Sequence, residues 1–296
     1  MAEQESQTFP PAGGQLDLFV DNEGTAALYD LCVALRGRNL ETAKRALATL
    51  AVQAPEHRLR PATERLTHAL VRLPTRLSPA DASAELKMLE QTLRPDAQDV
   101  LGAQAHDLLA PFWQRLADAL AGAPFDPERP ALHASYAYAQ CLDWCRAAAA
   151  VEAVLDYAAQ PVLLARLAEA RYRNGDRHGA IATWAALCWR FPAAAEKVME
   201  GPELPDTRLR VVWIRFCDQN LDPPPDTSLF PAYLLLSEPE LARTLPADLS
   251  AGDSVGENAY QAVHQLLQRD SIDTRRAVHN ARPWLLEAYL RAFVTT

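Results

Sequence analysis

Cysteine and histidine are the residues here whose spacing could do chemistry. In Cys141-Leu142-Asp143-Trp144-Cys145 two thiols stand four residues apart, one turn of a helix, and His133 precedes the first by about two turns. Two sulfurs and an imidazole on one face would begin a zinc or redox site. Trp144 and the alanines that follow are instead what a packed helix carries, and we read the segment as buried helix. His106-Asp107 reads as a surface pair and His178 as a turn residue, none with a partner at useful spacing. The chain contains no Gly-rich phosphate loop, no nucleophile elbow and no His-Glu-x-x-His helix. The expectation is a protein that is not an enzyme and uses no cofactor or metal.

A different chemistry, that of binding, is written in Gln15-Leu16-Asp17-Leu18-Phe19. It follows a stretch with Pro10, Pro11, Gly13 and Gly14 and almost nothing to bury, which is expected to be a mobile tail over residues 1–24. An extended backbone would put Leu16 and Leu18 on one side and Asp17 on the other. A turn at Asp17 would send Leu18 and Phe19 into one pocket together. Burying two such side chains contributes roughly 1.5–3 kcal/mol each before ordering costs, enough for a micromolar peptide. Tighter binding needs avidity or a second contact. The same apolar residues could instead fold back and close the end of the protein's own core.

All five positions match the pattern Gln-Leu-Ser/Asp-Leu-Phe, and the segment resembles the pentapeptide with which many bacterial proteins grip the replication sliding clamp. The resemblance covers five of 296 residues. It implies that the Gln15 side chain is anchored by hydrogen bonds while Leu18 and Phe19 fill an apolar cleft, with Leu16 and Asp17 completing the contact.

Composition limits what the remainder can do. A hydrophobic content of 49% is ample for a core, in one elongated domain or two compact ones. A net charge of −9 opposes non-specific binding to a phosphate backbone, so any link to DNA is expected to run through a protein partner. No stretch approaches the roughly 18 apolar residues of a membrane span, and the N-terminus lacks a secretion signal, so cytoplasmic residence is expected, with no membrane partner. Five cysteines, Cys32, Cys141, Cys145, Cys188 and Cys217, are an odd number scattered through apolar stretches and suit a reducing compartment.

The elements that must carry these residues read as helices almost throughout, punctuated by Pro and Gly. Ala27 to Pro55 reads as two helices about a turn at Arg36-Gly37-Arg38-Asn39, and Pro161 to Pro192 as two about Asn174-Gly175-Asp176. Ala43, Leu47, Leu50 and Pro55 share the spacing of Ala180, Trp184, Leu187 and Pro192, which keeps a small residue and two larger ones on one helix face. Between them we expect helices at 58–72, 80–93, 97–120 and 130–158, with breaks at 74–79, at Pro95 and at 123–130. After Pro192 the pattern is less regular, with helices expected at 208–220, 231–236, 257–269 and 283–293 and a boundary near 202–205. The aromatic residues Trp184, Trp189, Phe191, Trp213 and Phe216 read as core between stacked hairpins.

The spacing in the two segments resembles the tetratricopeptide repeat, a helical hairpin of 34 residues with a small residue, a bulky residue and a terminal proline at these positions. First-helix positions match less: Leu164, Leu167 and Ala168 stand where the family pattern has a large aromatic, a leucine and a glycine, and Ala27, Asp30 and Leu31 depart further. The resemblance implies an all-α, tetratricopeptide-like solenoid over residues 25–296. The function expected is that of an adaptor docked on the sliding clamp through Gln15 to Phe19 and holding a second protein on its helical body. The alternative is a repeat scaffold unrelated to replication, with Gln15 to Phe19 as an internal cap.

Overall fold

A computed structural model describes residues 20–202, 204–219, 221–249 and 254–293. Among them every regular element is a helix and there is no strand. The chain folds into two compact units, residues up to 76 with 84–112, and 77–83 with residues from 113 onward.

The first unit contains α1 (Val20–Arg36), α2 (Leu40–Gln53), α3 (Arg60–Arg72), most of α4 (Ala82–Met88), α5 (Arg94–Leu101) and the start of α6 (Ala105–Leu120). Helix α1 packs along α2 and touches α3, and α3 packs on α5. Leu31, Leu35, Leu50, Leu66, Leu89 and Leu93 are sealed between helices of this unit. Pro95 does not break the chain as expected. Residues Leu89–Leu93 form a π-helical turn, in which the Arg94 N–H donates to Leu89 O, five residues back. The widened turn absorbs the missing N–H and the ring of Pro95, so α4 runs into α5. The break falls later, where Gly102 takes φ +56°.

The second unit continues with α7 (Ala134–Gln140), α8 (Trp144–Glu152), α9 (Pro161–Arg173), α10 (Arg177–Arg190) and α11 (Pro192–Glu200). Each packs on the next, and α7 touches α9 as α9 touches α11. Alternate helices therefore form two layers, α7, α9 and α11 in one, α8 and α10 in the other. Helices α12 (Thr207–Cys217), α13 (Phe230–Ser237), α14 (Leu241–Thr244), α15 (Val255–Gln268), α16 (Ile272–Ala281) and α17 (Pro283–Phe293) follow. Helix α13 lies on α10, α12, α15 and α17. Trp184, Trp189, Trp213 and Phe216 are buried in the core of this unit, as expected, with Phe191 partly buried against it. Gly256 has no room for a Cβ, which would meet Ser228 O and the Trp189 ring, so α15 comes down directly onto the turn at 227–229.

Three hairpins share one turn. The second residue after the first helix has positive φ: Arg38 at +51°, Leu142 at +59° and Gly175 at +89°. The next residue, Asn39, Asp143 or Asp176, donates its N–H five residues back, to Ala34, Tyr138 or Arg171 O, at 2.9–3.0 Å. Its side chain then accepts the third N–H of the second helix, from Thr42, Arg146 or Gly179. One junction thus ends a helix in a Schellman turn and starts another with an Asx cap. Four residues after each cap stands a sealed alanine, Ala43, Ala147 or Ala180, where the paired helix comes close.

The α7–α8 hairpin corrects the single helix expected over 130–158. Leu142 in the left-handed region is disfavoured by roughly 1–2 kcal/mol, and leucine is not a residue type that marks a turn in sequence. The sequence after Pro192 is also more regular than expected. Phe191 leaves the helical region at φ −140° and ψ 64°, and Pro192 then opens α11, where its missing N–H costs nothing.

Candidate functional site

Because α9 and α11 lie side by side in one layer, the surface between them is a groove of about 480 Å³. Val162 and Ala165 from α9, Val198 from α11 and Trp184 from α10 give it an apolar lining, to which Gly201, Pro202, Leu204 and Pro205 also contribute. Trp184 is sealed and its indole N–H finds no acceptor among the described residues. Two cations border the groove, Arg166 and Lys197, the latter one of only three lysines in the chain.

Arg166 is held by neutral groups. Its Nη1 donates to Pro130 O at 2.7 Å and lies 3.5 Å from Ser135 Oγ, and its guanidinium sits 5.1 Å from the centre of the Tyr136 ring. No carboxylate pairs with it among the described residues. Burial pushes its pKa down to about 10, a sign of a poorly compensated cation. Glu169, which also lines the groove, lies instead 3.7 Å from Arg173 one turn on. The groove therefore offers apolar contact along its length and positive charge at its edges, a surface suited to an extended chain or a helix with an apolar face and an acidic neighbour.

Gln15, Leu16, Asp17, Leu18 and Phe19 lie outside the described residues. Helix α1 begins at Val20, directly after them.

Cys141, Cys145 and His133 do not share a helix face. His133 caps the start of α7, Cys141 closes its end, and Cys145 stands exposed in the first turn of α8. Cys141 Sγ donates to Tyr138 O at 3.3 Å, and burial pushes its thiol above the usual range. Among the described residues no three potential ligands gather about a metal position. Nor is any helix among them long and apolar enough to cross a membrane. The groove was not foreseen because α11 was not; the spacing of Ala194, Val198 and Gly201 after a helix-opening proline was the signal available. Set against protein-family models, curated proteins and solved structures, the chain matches none.

Proposed function

We propose that this chain is a non-enzymatic, cytoplasmic adaptor of tetratricopeptide-like build, which docks on the bacterial sliding clamp through Gln15 to Phe19 and carries a second protein on its helical body. The observation that carries the second half is the groove between α9 and α11, apolar inside and cationic at the border. Support for the repeat reading comes from the third hairpin. Ala147, Val151 and Val154 stand at offsets of zero, four and seven, as do Ala43, Leu47 and Leu50, and Ala180, Trp184 and Leu187. Ala159 takes the place of the closing proline in that segment.

Support for the clamp contact is the five-position match itself, set immediately before α1. The same closeness favours a second reading. With no spacer before Val20, Leu16, Leu18 and Phe19 are also within reach of the first helices and would act as an internal cap. Chymotrypsin separates the two, since Leu16, Leu18 and Phe19 are its sites. Rapid cutting there in the free protein, slowed by added clamp, is the expected result; resistance in the free protein would support the cap and contradict docking.

A further inference from the structure

A second cleft, of about 620 Å³, lies within the later unit between the face of α8 and the loop 121–125. Its walls are Phe125, Tyr138, Ala150 and Val154. One polar group in it is unusual. His133 is 3% exposed, and its Nδ1 is committed to the start of α7, lying 2.9 Å from Ser135 Oγ and accepting from Ser135 N at 3.4 Å. An imidazole whose Nδ1 accepts carries its proton on Nε2. That N–H has no acceptor among the described residues. Nor is it sealed away as are the orphan indole nitrogens of Trp184 and Trp189, so it opens into the cleft that the ring lines.

Two guanidiniums stand near this donor. Arg146 lines the same cleft, its guanidinium 5.3 Å from the centre of the Tyr138 ring, 2.7 Å from Asp143 and 3.9 Å from Asp118. Arg166, with no carboxylate partner among the described residues, is close enough to act with burial in holding the imidazole neutral. Asp156, exposed at the border, is the one carboxylate among the described residues that line the cleft. A half-enclosed apolar space with a buried, unanswered N–H and a guanidinium asks for an acceptor that brings its own negative charge.

We propose that this cleft binds a carboxylate carrying an apolar side chain, the carboxylate accepting from His133 Nε2–H and Arg146 and the apolar part resting on Phe125 and α8. Such a group is found on a free aliphatic acid or at the C-terminus of a peptide. Both are tested on the full chain at pH 7 by following the His133 and Phe125 resonances in NMR titrations. The probes are 4-methylpentanoate, N-acetyl-Gly-Leu and N-acetyl-Gly-Leu amide.

At least one carboxylate is expected to shift both residues and saturate, with the amide about tenfold weaker or more, and the tighter of the two acids identifies the source. His133→Asn keeps an N-cap acceptor while removing the Nε2 donor, and binding is expected to fall at least about tenfold. Should that variant fail to fold, Ala153→Trp, which fills the cleft from an exposed position, is expected to abolish binding instead. Absence of shifts with either acid, equal binding of the amide, or undiminished binding in the folded variant would overturn the proposal.

Discussion

Arg177 donates from Nε to the carboxylate of Asp206 at 2.8 Å, and that carboxylate is sealed from solvent. Asp206 also accepts from Arg208 N and Leu209 N, so one side chain both starts α12 and ties it to the first turn of α10. The same guanidinium reaches Glu238 at the end of α13, 3.0 Å away. Three helices of the later unit are thereby fixed at a single cation.

Asp206→Ala removes the cap and leaves Arg177 half-buried with one partner, so a loss of about 2–4 kcal/mol in urea unfolding is expected. Asp206→Asn keeps the capping oxygen and should lose less, about 1–2 kcal/mol. Equal losses would show that the cap contributes nothing separable from the charge.

The left-handed Leu142 is half exposed, so replacing it removes little packing. Leu142→Gly relieves roughly 1–2 kcal/mol of backbone strain against a glycine entropy cost of about 0.5–1, and a net gain of up to about 1 kcal/mol is expected. Gly175→Ala, at φ +89°, should have the opposite sign. Destabilisation by Leu142→Gly would contradict the shared turn.

The sealed alanines of the three second helices set how closely each hairpin closes. Ala147→Leu and Ala180→Leu are each expected to cost about 1–3 kcal/mol by overpacking. Ala149→Leu, two residues along and outside the sealed face, should change stability by less than about 0.5 kcal/mol. Thermal melts of the three variants make the comparison.

Burial and the Arg166 charge lower the His133 pKa from 6.5 to about 4. With the folded value below the unfolded one, the contribution is whole above about pH 6.5. As pH falls from 6.5 to 4 the unfolded chain takes up a proton that the folded chain refuses, and stability drops by at most about 3 kcal/mol. Below about pH 4 the slope from this group ends. His133→Asn should flatten that window, and an unchanged slope in the variant would assign the loss to other groups.

Much of the all-helical build was legible because Pro and Gly mark the ends of helices and the apolar spacing marks their faces. The hairpins about Arg38 and Gly175 were visible for that reason, each having a glycine in the turn. The hairpin about Leu142 was not, because its turn is specified by the Asp143 cap and the backbone rather than by a residue that favours positive φ. Pro95 misled in the other direction, since a π-helical turn removes the clash that a proline ordinarily creates. The spacing after Pro192 marked α11, but neither cleft itself was legible in the sequence. The groove needs α9 beside α11, and the His133 donor needs a ring nitrogen already used by Ser135. Both depend on how helices and caps meet in space, which the spacing of apolar residues does not specify.

The most direct measurement is calorimetric titration of the full chain with the sliding clamp of its own host, beside a Leu18→Ala, Phe19→Ala double variant whose helical content is checked by circular dichroism. Micromolar or tighter binding that disappears in the folded variant is expected. No binding by the unaltered chain, or binding that survives the double substitution, would contradict the adaptor reading.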